Sequence, residues 1–410
     1  MANNQHGITR REMVKLFGRF GVTSTLLAAA GMSGVVTPSR LAQAAEETNK
    51  ARAAKKPKYQ FRMGGAGYNE RSLKFVQVGA IDFIRDLEAR TDGAIQIEFI
   101  GNNEICKEST CLKKMQAEII DFFVSSTQNA AGQAPYYNVL DFPFLFPTRA
   151  SFYHFIYHTD SEKLFREPLR RMHDTMFLFS MFEHRGLMMG SSYKNRPLVS
   201  SLGDLQGTKN RVTGSQLIRI SMDLMGLNPV PLAWEETMDG MKQGLIDGME
   251  TWSTAVAAFN MTPVVSQAVE LRFTAGLEQV AMRASLFEKL EPEFQDAILE
   301  SAYLTQIHIQ SAHEATIYNT VGVTNPPLPG SVFDESGVRV ALLPDAEIEK
   351  AEQMTAPNHV PEPWAPWRER LNNWSGGHDV YTEIHRIARE IPQDVAAQNV
   401  PGRRWGGYNE

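Results

Sequence analysis

The stretch from Arg196 to Trp252 constrains this chain most, because short β-prone runs alternate there with amphipathic ones. Thr208–Val212 follows the turn residue Gly207 and reads as a strand. Thr213-Gly214-Ser215 offers hydroxyls suited to a helix start. Leu217, Ile220, Leu224 and Met225 then recur at helical spacing until Gly226. Val230–Leu232 reads as a second strand. Glu235–Gly244 reads as a helix with Met238, Met241 and Leu245 on one face, and Ile246–Glu250 as a third strand. A βαβαβ unit of this kind predicts a parallel sheet. Ligands of open α/β sheets sit beyond the carboxyl ends of the strands. Arg211, Trp234 and the run Glu250-Thr251-Trp252 all fall at such ends.

A second unit of the same form precedes it. Gln60–Met63 reads as a strand, Leu73–Glu88 as a helix, Ala94–Ile100 as a strand, Ser109–Glu118 as a helix and Ile119–Ser125 as a strand. Gly64-Gly65-Ala66-Gly67 follows the first strand. It lacks the third glycine of a dinucleotide fingerprint, since position 70 is Glu, and is read as a close backbone approach to a ligand. Two such units imply two similar α/β lobes facing a central cleft. Met176–Phe182 leads towards the second lobe and Leu271–Ala275 returns, which makes the crossings hinge strands. A helix from Glu291 to near Asn319 would be about 40 Å long and would lean on both lobes.

Arg211 sets the chemistry. A guanidinium stays charged and matches a carboxylate bidentately. Each such bond is worth about 1.5–3 kcal/mol. A helix start near Ser215 would add free N–H groups, and Trp234 and Trp252 would form apolar walls. From spacing alone, an ordinary surface pairing of Arg211 with a nearby acid is an equal alternative. Ser125-Ser126-Thr127-Gln128-Asn129 either bonds a ligand or caps the next segment.

The residues RP…DLQGTKNRV…MGLNPVPLAWEE…GLIDGME resemble the dicarboxylate-binding type of solute-binding subunits of tripartite ATP-independent periplasmic (TRAP) transporters. The resemblance is close over the middle half of the chain and looser from residue 58 to about 355. It implies a fold like the type II periplasmic binding proteins, with hinge strands and a long helix joining two lobes. Residues 58–183 with about 276–320 would form the first lobe, and 184–275 with about 321–410 the second. It implies a periplasmic receptor, not an enzyme, that delivers a small organic acid to a small and a large membrane subunit driven by sodium. Substrate contacts implied are Arg211 as carboxylate clamp, Arg185 assisting, Trp234, and Glu250, Thr251 and Trp252; Tyr68 and Ser126 are counted with them. The sequence departs from many members at Thr251-Trp252, which bears on the exact ligand and not on its class.

Thr9-Arg10-Arg11 through Lys15, a mildly apolar run from Leu16 to Val36, and Ala42-Gln43-Ala44 suggest a twin-arginine signal peptide over residues 1–44, and so the twin-arginine translocase as an export partner. An ordinary Sec signal is the alternative, and residues 45–57 read as a loose lead-in. Hydrophobic residues at 43% suffice for packed cores, and a net charge of −6 gives no general attraction to nucleic acid. Cys106 and Cys111 are the only cysteines. If Ser109 caps the next helix, they lie near enough to bridge, for about 2 kcal/mol; two free thiols are the alternative. His154 and His158 lack a third ligand and read as a surface pair, so neither metal nor cofactor is expected. The stretch after Thr355, rich in Pro and Trp, would pack on the second lobe or on a partner. Two other functions remain open: a ligand-sensing module for a membrane receptor, and an exported oxidoreductase. The second lacks any HExxH, GxSxG or dinucleotide motif in its favour.

Overall fold

The computed structural model describes residues 46–52 and 54–405. The signal peptide expected over residues 1–44 lies outside them. Residues 46–52 are helical, where a loose lead-in was expected.

The first unit comprises β1 (Tyr59–Gly65), α1 (Ala80–Arg90), β2 (Ile95–Ile100), α2 (Cys111–Gln116), β3 (Phe122–Ser126) and the short α3 (Thr127–Ala130). β1 lies between β2 and β3 and runs parallel to both. Phe61 and Met63 are buried while Gln60 and Arg62 are exposed, the alternation of a strand with one face on a core. The helix expected over Leu73–Glu88 is two pieces, Glu70–Phe75 and α1. The break lies at Gln77 and Gly79, both at positive φ (55° and 82°). A Cβ on Gly79 would stand 2.5 Å from Thr305, so this close approach needs glycine. The aromatic-rich helix Arg149–Tyr157 stops where His158 turns to extended backbone.

β4 (Thr175–Met189) carries the chain into the second unit: β5 (Lys209–Val212), α4 (Gln216–Leu224), β6 (Asn228–Pro231), α5 (Trp234–Lys242), β7 (Gly248–Thr251) and α6 (Ser253–Ala258). β5 lies between β6 and β7, again parallel to both. β8 (Gln267–Arg283) returns. β4 and β8 pair antiparallel and together serve both halves of one sheet, in the order β2-β1-β3-β8-β4-β7-β5-β6. β3 joins the later part of β8, and β7 joins the later part of β4. The ladder is irregular between Arg185 and Leu187, opposite Arg272 at φ 54°. That irregularity marks the junction between the halves.

α7 (Pro292–Ala315) continues as a π-helical segment, Thr316–Val321. Ala297, Ile298, Ala302 and Ile309 of α7 are buried in the core of the first half. Ile317 and Val321, on the continuation, are buried in a core of the second. β9 (Arg339–Leu342) then adds to β8, and α8 (Asp345–Thr355) packs Ala351 against the second half.

The remaining tail corrects an expectation. It was grouped with the second lobe, yet its buried residues Trp364, Leu371, Tyr381, Ile384, Ile387 and Trp405 belong to the core of the first half. Phe142 supplies much of the reason, since Trp364 and Tyr381 both meet its ring edge-on. Arg389 donates to the carbonyls of Phe144 and Leu145. Gln310 of α7 donates to those of Ala397 and Val400. His154 and His158 both stand near Glu390 of this tail, consistent with a surface pair.

Candidate functional site

Between the halves, at the carboxyl ends of β1, β3, β5 and β7, lies a small, nearly filled cavity, with about 10 Å³ of space open to solvent. Its walls include Tyr68, Ser126, Arg185, Arg211, Trp234, Thr251 and Trp252, with Glu108, Asn129 and Glu278. Seven of the eight residues expected at the site therefore line one space.

Arg211 is the next-to-last residue of β5 and is 1% exposed, so it is not a solvent-facing surface residue. Its Nε donates to the Leu232 carbonyl at 3.0 Å, and Nη2 reaches Asn129 Oδ1 of the first half at 3.4 Å. Nη1 makes no hydrogen bond among the described residues and lies 3.8 Å from Glu250 Oε1. The guanidinium sits 5.4 Å above the Trp234 ring. Burial lowers its pKa to about 10, which leaves it charged near neutral pH. Arg185, at the bend of β4, donates through Nε to Glu250 and lies 4.6 Å over the Trp252 ring. Its Nη1 also has no hydrogen-bond partner among the described residues. Cation–π contact of this kind is attractive and holds each guanidinium plane in place.

Glu250 departs from its expected role. It is fully buried and does not line the cavity. One oxygen accepts from Arg185 and the other from the Thr213 N–H at 2.9 Å. It stands behind the two arginines and positions them. A buried charge needs such a partner. Two guanidiniums against this one carboxylate leave positive charge directed at the cavity.

The start of α4 also departs. Its N–H groups were expected to face a ligand, but Asn138 of the first half accepts from Gln216 N–H at 3.2 Å and from the Ser215 hydroxyl at 3.0 Å. Ser215 itself accepts from Ile218 N–H as N-cap. Of the two roles left open for Ser126, its hydroxyl performs the cap, on α3 through the Asn129 N–H, and the residue also lines the cavity. The helix after the cysteines is capped by position Thr110 and begins at Cys111, not at Ser109. Cys106 and Cys111 are joined by a disulfide.

Sequence reasoning missed Glu108, Glu278, Ala255 and Phe259. Glu108 lies in the loop that the disulfide closes, and its Oε2 accepts from Ser126 N–H at 3.0 Å and Asn129 Nδ2 at 3.1 Å. Burial raises its pKa to about 7, against those two bonds. Glu278 stands in the apolar run of β8; burial, and then the nearby Glu108, raise its pKa well above the usual range. The same strand carries Glu270 and Arg272, so nothing in the sequence singled Glu278 out. Phe259 meets Tyr68 at 4.8 Å and Trp234 at 5.2 Å, joining the walls of the two halves.

A larger groove of about 830 Å³ lies on the other side of the crossing strands, lined by Arg149, His184, Glu270, Arg272 and Glu314 among others. Arg149 is there held bidentately by Glu314 and by Tyr318. Among the described residues, no group of three potential ligands is placed to hold a metal, and no helix is long and apolar enough to cross a membrane.

Known proteins share this chain's pattern. Residues 67–320, more than half of the chain, match the family model of the bacterial extracellular solute-binding proteins, family 7, DctP. The 2,3-diketo-L-gulonate-binding periplasmic protein of Escherichia coli K12 is 24% identical over 244 residues, covering 58% of this chain and 70% of that protein. A TRAP periplasmic solute-binding protein of Roseobacter denitrificans, solved with bound L-galactonate, has a TM-score of 0.64 at 18% identity, over 77% of this chain and 99% of its own. The sugar acid binding protein of Advenella mimigardefordensis, in complex with galactonate, has a TM-score of 0.67 at 18% identity, over 82% and 99%. These two likenesses are of fold, and the family match is of sequence. The chain belongs to the DctP family of bacterial extracellular solute-binding proteins, and it is a periplasmic binding protein of the TRAP type, not an enzyme.

Proposed function

We propose that this protein receives a small organic acid in the cavity between its halves and delivers it to the membrane subunits of a sodium-driven TRAP transporter. The observation that carries the reading is the pair of buried guanidiniums, Arg185 and Arg211, set against the single carboxylate of Glu250, each with an Nη1 that makes no hydrogen bond. A ligand carboxylate would complete both. Trp234 and Trp252 would sandwich its carbon skeleton, and Tyr68, Ser126 and Thr251 would complete the walls. The relatives named above take sugar acids, in keeping with a carboxylate clamp. On this reading β4 and β8 act as the hinge, and closure brings Asn129 to Arg211.

The test is a thermal-shift screen over organic acids, since a ligand of the folded state raises the melting temperature by mass action. Arg211→Ala should fold and should bind the best acid about 10- to 100-fold more weakly, from a lost charge-assisted bond of about 1.5–3 kcal/mol. Wild-type affinity in that variant would remove Arg211 from the site. Export by the twin-arginine translocase belongs to the same proposal and rests on Arg10-Arg11. Changing both to Lys should leave the unprocessed chain in the cytoplasm; continued processing would point to the Sec route.

A further inference from the structure

The cavity is nearly filled, and the two halves close over it. A guest enters or leaves only when they part, so the contacts that hold them shut set how long it stays. One short loop of the first half makes such contacts. Cys106 and Cys111 close it, and both are buried. A Cβ on Gly64 of β1 would stand 2.8 Å from Cys106 Sγ, so the bridge packs directly on the sheet. Within the loop, Lys107 N–H donates to Thr110 Oγ1 at 2.9 Å and Cys111 N–H to the Lys107 carbonyl at 3.0 Å.

Glu108, inside this loop, reaches the second half by two routes. Its backbone N–H donates across the cleft to Glu235 Oε1, in the first turn of α5, at 3.2 Å. Its side-chain Oε2 accepts from Asn129 Nδ2 at 3.1 Å, which leaves the other end of that amide, Oδ1, for Arg211 Nη2 at 3.4 Å. The bonds to Glu235 and to Arg211 each join different halves, so opening the cleft breaks both.

Glu235 follows Trp234 in the chain but does not line the cavity. It is therefore placed to act on closure without touching the guest. Its carboxylate lies near enough to Arg211 to favour the charge of the guanidinium. Through charge alone Glu235 opposes an incoming anion, and its removal would strengthen binding. Through the Glu108 N–H it holds the cleft closed, and its removal would weaken binding. The two effects have opposite signs.

We propose that the loop closed by Cys106 and Cys111 is the latch of the cleft, with Glu108 as its positioning residue, and that the bond from Glu108 to Glu235 sets how slowly an acid is released rather than which acid enters. This rests on the carboxylate reading of the cleft given above, and it separates closure from recognition. The disulfide fixes the loop beforehand, so that little ordering remains when the halves meet.

The test is stopped-flow tryptophan fluorescence on the mature chain, since Trp234 and Trp252 line the cavity. Galactonate, erythronate, galacturonate and succinate are the probes, and the one that calorimetry finds bound most tightly is carried forward. Glu235→Ala should release it at least fivefold faster, with an entry rate within threefold of the wild type and an unchanged melting temperature without acid. Glu235→Gln keeps an acceptor oxygen and loses the charge, and its release should stay within twofold of the wild type. Cys106→Ser combined with Cys111→Ser should release at least threefold faster. Adding Glu235→Ala to that pair should accelerate release by less than the product of the separate effects, as for residues that act through one contact. The melting temperature reports whether the cysteine variant folds, and Glu235→Ala tests the latch independently of it. Release from Glu235→Ala at the wild-type rate or slower would overturn the proposal. So would equal acceleration in Glu235→Gln, which would trace the effect to charge, or wild-type release from a folded cysteine variant. Each of these leaves the carboxylate clamp intact. Failure of the wild type to bind any of the four acids would count against the clamp itself, and this proposal would fall with it.

Discussion

Glu108 shows what a cavity built for a guest costs the empty protein. Its carboxyl is buried and its pKa is raised from 4.5 to about 7. Glu270, on the other side of the crossing strands, is raised to about 7 by burial in the same way, and Asp141 to about 6. For an acid whose folded pKa lies above its unfolded value, the folded state holds the extra proton. The stability linked to it is complete below about pH 4.5 and is lost as pH rises through about 7. Stability should therefore fall between about pH 4 and pH 7, and Glu108→Gln should make that fall shallower without abolishing it, because Glu270 and Asp141 remain. The Glu108 share is at most about 3 kcal/mol. Urea denaturation at several pH values measures it, and an unchanged slope in the variant would show that Glu108 titrates normally. Glu108 and Glu278 were also the residues least legible from the sequence. Arg211, Trp234 and Trp252 were placed by local pattern, because each stands at or just past the end of a strand that the pattern locates. Glu278 reaches the cavity only because β8 pairs with β3 in the register Ser126↔Glu278, between residues far apart in the chain. Glu250 was placed correctly along its strand, but whether it faces a ligand or the arginines depends on Arg185, which arrives from β4.

At the scale of elements, periodicity located β5, α4, α5 and β7 to within about two residues, because each is short, punctuated and amphipathic. It failed where tertiary contact overrode local preference. The apolar spacing from Leu73 to Leu87 runs on through Gly79, but α7 packs so close there that the chain turns left-handed and restarts. The N-terminus of α4 looked free for an anion, and nothing within the second unit occupies it; Asn138 comes from the first half. The tail after Thr355 carried strong Trp and Pro signals but no indication of a destination. Its destination is set by Phe142 and by the backbone carbonyls at Phe144 and Leu145, which have no special mark in the sequence. Glu183, His184 and Arg185 form a polar triplet inside a strand buried along its whole length. Each has a partner: Glu183 accepts from Ser253 and Thr254, His184 bonds the Phe146 carbonyl, and Arg185 meets Glu250. Burial lowers the His184 pKa to about 3, so it remains neutral and serves as a structural donor.

For the molecule as a whole, β4 and β8 matter more than any single residue. They are continuous ribbons of 15 and 17 residues. The first half uses Thr175–His184 and Ala275–Arg283, and the second uses Leu187–Met189 and Gln267–Val269. Neither half owns a complete sheet, so the two should melt together. Calorimetry should give one transition with equal calorimetric and van't Hoff enthalpies; two resolved peaks would show that the halves hold themselves together separately. The same sharing sets an order of assembly during synthesis. β3 gains its second neighbour only when Ala281 and Met282 have been made, after the whole of the second unit has left the ribosome. Until then it presents an unpaired strand edge of five wholly buried-type positions, Phe122 to Ser126. A growing chain of this protein thus passes through a long interval in which a chaperone has something to hold, and that interval closes only with the last turn of the second crossing.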